Sequence, residues 1–219
     1  MKDLSITQEY MVCTVNGKGI LPSSNQKAVA CLIASGLLDM QLAKCISLND
    51  KKVSVCDELP EHLAYLKSLY DVVNQDKPVK VEKVVENYTI AFTNKKLYDF
   101  ENAIIDSLKE ADVLEPAKSG FLGNKDTYVP RKEIITGIIE KIRAELLENG
   151  EISEDVIALT ALMDKAGNLK DYFSKFEQKE LRNKIETIKK SDAGTLAKEM
   201  VQHIEALYIA VIIPVMFSV

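Results

Sequence analysis

The last stretch of the chain sets the tightest limit on its fold. Ala206–Val219 reads ALYIAVIIPVMFSV and is apolar at almost every position. At about fourteen residues it falls short of the roughly 20 that a helix needs to span a bilayer. Pro214 would break or kink it as well. A segment that is apolar all round and too short to span reads as the buried centre of a helical bundle, with a membrane anchor as the competing reading. The rest of the chain must then supply the amphipathic helices that surround it.

The composition permits this. The chain has 219 residues, 47% of them hydrophobic, enough for one large domain or two small ones. A net charge of −5 excludes a general nucleic-acid binder, which needs a concentrated basic face, but leaves room for a local basic patch. Arg131, Arg143 and Arg182 are the only arginines, so bidentate phosphate recognition is scarcely available. Cys13, Cys31, Cys45 and Cys56 form no CxxC pair and sit among apolar neighbours, so they read as small buried hydrophobes with no zinc-site spacing. The opening MKDLSITQEY is polar and shows no signal peptide, and the chain reads as intracellular and reduced.

Helical periodicity recurs along the chain. A helical turn begins at Leu4 and runs to Val15, before Asn16-Gly17 and Gly19 supply a tight turn. Ser23-Ser24-Asn25-Gln26 carries the capping-box pattern S-x-x-Q and precedes an apolar helix from Ala28 to Ala43, with Leu32, Leu37, Leu38 and Leu42 as core candidates. CISLNDKKVSVC alternates around Asn49-Asp50 and reads as a β-hairpin. Helices are expected over Leu59–Asn74, Val79–Ala91 and Lys95–Ala111, the last with Leu97, Phe100, Ile104, Ile105 and Leu108 at helical spacing. DVLEPAKSGFLGNKDTYVP reads as a second hairpin bracketed by Gly120 and Gly123. Further helices follow over Arg131–Leu147, Glu154–Ala166, Leu169–Phe173 and Glu177–Lys190, and from Gly194 through the tail. Nothing alternates in the manner of a parallel sheet.

Catalytic constellations are weak. His62 and His203 lie far apart, each on an expected helix and neither beside a nucleophile motif, so both read as structural. Gly17-Lys18-Gly19 lacks the frame of a phosphate-binding loop, and acidic residues such as Glu110 and Asp112 read as solvated helix faces. No cofactor, metal site or enzymatic activity is expected.

The order of these motifs resembles the Golgi phosphoprotein 3 family, especially its bacterial members. The resemblance rests on L-S-I-T-Q-E-Y, the G-x-G-x-L-P-S-S turn, LLDMQLAKCISL, KKVSV, DFENAIIDSLKEADVL with its following hairpin, VIALTALMDKAGNL, and the apolar terminal helix. It covers nearly the whole chain and implies a single domain over residues 1–219. That domain would be mainly α, with amphipathic helices around a buried apolar C-terminal helix and small β-hairpins. Eukaryotic members bind phosphatidylinositol 4-phosphate and retain glycosyltransferases by their cytoplasmic tails.

Their lipid pocket uses a Trp near the start of the first long helix, an Arg nine residues later, and two basic residues three apart on a later helix. These positions fall here on Ser24, Ile33, Tyr98 and Glu101. None keeps the required chemistry, and Glu101 would repel a phosphate. Lys27, Lys95 and Lys96 lie close by and could replace the charge, and Ser23 and Ser24 at a helix N-terminus could help hold an anion. The plainer reading is that the serines cap the helix and the lysines are solvated.

The second hairpin keeps a Phe121-Leu122 tip where eukaryotic relatives insert a Phe-Leu pair into membrane, flanked by Lys118 and Lys125. A tip folded back on the core and a self-association contact are the competing readings. The resemblance therefore implies a peripheral membrane adaptor, with a soluble protein-interaction scaffold without lipid recognition as the alternative. Its expected partners are an anionic lipid or membrane surface, a protein or a second copy, and no nucleic acid. The expected location is cytoplasmic, free or peripheral at a membrane.

Overall fold

Ser5 starts the first helix with a complete capping box: its side chain accepts the Gln8 N–H at 3.3 Å, and the Gln8 side chain accepts the Ser5 N–H at 3.1 Å. The computed structural model to which these atoms belong describes residues 3–15, 21, 25–89, 95–119, 125–148, 151–190, 198, 201–202 and 204–206. Its helices are α1 (Ile6–Thr14), α2 (Gln26–Leu42), α3 (Lys67–Val73), α4 (Val81–Thr89), α5 (Lys95–Glu110), α6 (Lys132–Ile142), α7 (Glu154–Ala166) and α8 (Lys175–Lys190). Its strands are β1 (Ile46–Asn49), β2 (Lys52–Val55), β3 (Val79–Lys80), β4 (Leu114–Ser119) and β5 (Lys125–Pro130). The protein is mainly α with small β-hairpins, as the periodicity requires.

The S-x-x-Q box is realised at Ser5–Gln8 and not at the second S-x-x-Q, because α2 already begins at Gln26 and takes Asn25 as its cap. The Asn25 side chain accepts the Ala28 N–H at 3.2 Å.

Three helices lie inside. Every residue of α2 from Ala28 to Met40 is buried, as is every residue of α7 from Val156 to Met163, and α1 exposes little beyond Gln8. These helices pack on one another, so among the described residues the all-round-buried centre is this trio. The apolar tail expected in that role lies outside the described residues from Leu207 onward. Val201 and Ile204, just before it, are buried. Gly36 permits a close approach: a Cβ there would lie 2.6 Å from Leu69 Cδ2 of α3.

Amphipathic helices cover the trio. α4 turns Val81, Val84, Val85 and Tyr88 inward, α5 Leu97, Phe100, Ile104 and Leu108, and α6 Ile138, Ile139 and Ile142. α8 is more peripheral, with Leu181 alone fully buried. Among the described residues no helix is long and apolar enough to cross a membrane.

The first hairpin pairs Asn49 with Lys52, so its loop is Asp50-Lys51, one residue beyond the expected turn. Both loop residues have positive φ, 48° and 61°, which is the type I′ geometry that matches strand twist. β3 adds to β2 through Lys52–Lys80 and Val53–Val79, so the helix expected from Val79 begins two residues later. The segment expected as one helix over Leu59–Asn74 is a 3₁₀ stretch, Glu61–Leu66, leading into α3, and its buried residues Leu63, Leu66 and Leu69 recur every third position. Likewise α6 ends in a wide π-type turn, Arg143–Leu147. The second hairpin pairs Leu114–Pro130 through Ser119–Lys125.

Two expected core residues are on the surface. Leu42 is 40% exposed at the last position of α2, and Cys56 is exposed where the chain leaves β2, although Cys13, Cys31 and Cys45 are buried.

Candidate functional site

The first turn of α5 holds three of the described residues anticipated for a headgroup. Lys95, Lys96 and Tyr98 are exposed there, Tyr98 by 63%. Lys95 Nζ donates to Asp99 Oδ2 at 2.5 Å and Lys96 Nζ to Asn87 Oδ1 at 3.0 Å. Both contacts are at the surface and bind weakly. Lys27 is exposed in the first turn of α2, and it is not among the residues lining the cleft that holds Lys96. Ile33 is fully buried in α2. Ser23, Ser24, Phe121 and Leu122 lie outside the described residues.

Helical geometry separates the α5 side chains further. Relative to the buried stripe, Tyr98 and Glu101 fall on one flank, and Lys96 with Asp99 on the other. Glu101 is half-buried, its Oε1 has no hydrogen-bond partner, and burial pushes its carboxyl up to about 7. The base of the β4–β5 hairpin is fixed at the opposite end of α5, where Arg131 donates to Asp112 Oδ1 at 2.7 Å and Lys109 Nζ lies 4.5 Å from the Tyr128 ring. The two regions anticipated for membrane contact are therefore attached to opposite ends of one helix.

Two clefts flank α5. One, of about 580 Å³, lies between α3, α4 and α5, and sets Lys83 and Lys96 against Asp71 and Asp99. The other, of about 540 Å³, lies where the N-terminus of α1 meets the 3₁₀ segment and the second half of α5. Asp3, Glu61, Asp106 and Glu110 line it beside His62, and among the described residues no Lys or Arg does. Its acidity was not legible in the sequence because the carboxylates come from three separate segments. His203 lies outside the described residues.

Beneath this acidic cleft runs a polar chain. The Ser5 hydroxyl donates to Asp39 Oδ2 at 2.7 Å, which leaves the Tyr65 hydroxyl, 2.5 Å from it, as the donor to Ser5 Oγ. Asp39 projects from α2 and also accepts the N–H groups of Ile6 and Thr7 and the Thr7 hydroxyl. Burial raises its carboxyl, and the four donors oppose that rise. The only sequence signal was a carboxylate inside an otherwise apolar helix, LLDMQL.

A second buried carboxylate, Glu9 of α1, is pushed up to about 7 chiefly by burial. Lys141 opposes the shift, while Asp155, Asp39 and Glu145 add to it. Lys141 itself donates to Asp155 at 2.6 Å, and Glu145 accepts the N–H and hydroxyl of Ser153 at 2.8 and 2.6 Å. Among the described residues no group of His, Cys, Asp and Glu side chains is arranged to hold a metal ion.

The fold defines a class: a mainly helical protein with three buried helices, amphipathic helices around them and two small antiparallel sheets. The family model described as Golgi phosphoprotein 3 (GPP34) matches residues 6–207, nearly the whole chain, and the protein belongs to this family. Comparison with curated proteins finds no match.

Proposed function

We propose that the protein is a peripheral membrane adaptor, not an enzyme, and that it meets an anionic lipid surface through the first turn of α5. The observation that carries the reading is Tyr98, 63% exposed in the same first helical turn as the exposed Lys95 and Lys96. An exposed amphipathic ring in a helical turn that also carries two lysines suits the boundary between headgroups and water. Membership of the family adds to this reading. Because Ser24, Ile33, Tyr98 and Glu101 replace the family's Trp and basic residues, the reading is of an anionic surface and not of one phosphoinositide headgroup. Phe121 and Leu122 at the second hairpin are assigned a supporting membrane contact.

The core thiols Cys13 and Cys31 take no part in this reading. Burial pushes Cys31 up to about 12 and raises Cys13 as well, the reverse of what activates a nucleophile.

Flotation with neutral and acidic vesicles tests the proposal. The triple variant Lys95→Gln, Lys96→Gln, Tyr98→Ala is expected to lose at least about thirty-fold in affinity, since each lysine near an anionic surface contributes about 1 kcal/mol. Retention of wild-type binding by that variant overturns the assignment of the surface.

A soluble protein-interaction scaffold is the second reading, favoured by the acidic cleft and by Glu101. It calls for a partner segment rich in Lys or Arg, held without vesicles and released by salt. Binding of a lysine-rich peptide that is lost in Asp106→Asn with Glu110→Gln supports it, and no binding counts against it.

A further inference from the structure

Ile46 pairs with Val55 at the open end of the first hairpin, and the same register continued by one step sets Cys45 opposite Cys56. One bond joins the two residues, the Cys56 N–H donating to the Cys45 carbonyl at 2.8 Å, while the Cys45 N–H turns away to the Met40 carbonyl at 3.1 Å. Opposed residues of an antiparallel pair have Cα atoms about 4.5–5.5 Å apart. A disulfide accepts separations of about 4.4–6.8 Å. The backbone is therefore already spaced for a bond between them, and both residues are free thiols.

The two thiols differ in access. Cys56 is exposed, and its Sγ makes a long contact of 3.8 Å to the Ser54 carbonyl. Cys45 is buried and donates its S–H to the Met40 carbonyl at 3.2 Å, just past the end of α2. Burial raises the Cys45 thiol, and the nearby Asp57 and Cys56 add to the rise. A reagent in solution thus meets Cys56 first, whereas Cys45 is placed to react with its neighbour. Bond formation requires each side chain to rotate about its Cα–Cβ bond, away from the Met40 and Ser54 carbonyls. Met40 then loses the S–H donor but keeps the Cys45 N–H at 3.1 Å.

We propose that Cys45 and Cys56 are a thiol–disulfide exchange pair, with Cys56 the entry thiol and Cys45 the resolving thiol. The oxidant is a small-molecule disulfide of the glutathione type. The Cys56 thiolate attacks one of its sulfurs, forming a mixed disulfide and expelling one small thiolate. The Cys45 thiolate then attacks Cys56 Sγ, forming the Cys45–Cys56 bond and expelling the second. Two cysteine thiols are oxidised to one disulfide, the reagent is reduced to two thiols, and the two protons pass from the cysteines to those thiols. The product closes the base of the hairpin and ties the exit of α2 to the segment whose Asp57 carbonyl accepts the Tyr70 hydroxyl at 2.9 Å.

Incubation of the full chain with oxidised glutathione, followed by an acid quench, alkylation of the remaining thiols and peptide mapping, tests this. The expected result is a monomer that has lost two of its four thiols, with Cys45 linked to Cys56 and Cys13 and Cys31 alkylated. Cys56→Ser, a change at an exposed site, is expected to keep its three thiols under the same treatment. A glutathione adduct that persists on Cys56 with Cys45 still free, a dimer joined through Cys56, or four unreacted thiols would each overturn the proposal.

Discussion

Asp39 binds Thr7 twice, its Oδ2 accepting the Thr7 N–H at 2.9 Å and the Thr7 hydroxyl at 2.5 Å. With the Ile6 N–H on Oδ1 at 3.0 Å, a carboxylate of α2 closes the N-terminus of α1, where the helix dipole favours negative charge. Asp39→Ala leaves these buried donors without an acceptor and is expected to cost about 3–5 kcal/mol. Thr7→Ala, which removes one hydroxyl, is expected to cost about 1 kcal/mol. Urea unfolding measures both. Equal losses for the two variants would contradict the capping role.

Glu9 gives stability a pH dependence of defined sign. Its carboxyl titrates at about 7 in the folded protein against an ordinary 4.5, so between those values the folded state holds a proton that the unfolded state has released. Stability therefore falls as pH rises from about 4.5 to about 7, and the penalty is constant above that. Glu101 acts in the same direction from its half-buried position. Glu9→Gln is expected to be more stable than wild type at pH 8, by on the order of 2–3 kcal/mol, and close to it at pH 4.5. Urea midpoints for the two proteins across this range check the sign. A wild-type midpoint that rises between pH 5 and pH 7 while that of Glu9→Gln stays flat would contradict it.

Gly36 lets α2 and α3 approach. A Cβ would lie 2.6 Å from Leu69 Cδ2 and 3.3 Å from Leu66 Cδ2, so Gly36→Ala must displace two buried leucine ends. Overpacking of this kind typically costs about 1–3 kcal/mol, reduced here by the better helix propensity of alanine. The clash predicts coupling: Leu69→Ala should cost less in the Gly36→Ala background than alone. Additive losses in a double-mutant cycle would mean that the contact is not the reason for the glycine.

Periodicity and order made the helices legible, because each covering helix carries its apolar residues three or four apart. α7 was read with the limits it has, and the first hairpin was missed by one residue in its turn. What could not be read were features made by distance in sequence. β3 exists because Val79 and Lys80 meet Val53 and Lys52, and no local preference distinguishes those two residues from a helix start. Leu42 belongs to an apolar run yet lies 40% exposed at the helix end, since a run does not reveal where its last turn emerges.

The site was less legible than the fold. Spacing correctly placed Lys95 and Tyr98 on a helix start, but it could not show that Lys96 lies on the other flank of that helix or that Glu101 is half-buried. Asp39 and Glu9 were hidden for the opposite reason: their partners lie on other helices, so each looked like a stray charge within its own segment.

The sequence contains no tryptophan, so Tyr98→Trp creates a single reporter at the proposed membrane surface. Its emission on titration with acidic and with neutral vesicles tests the adaptor account most directly. The account predicts a blue shift with acidic vesicles that weakens as salt is raised, and little change with neutral ones. An emission that stays at its aqueous position with acidic vesicles, while the protein remains folded, would contradict it.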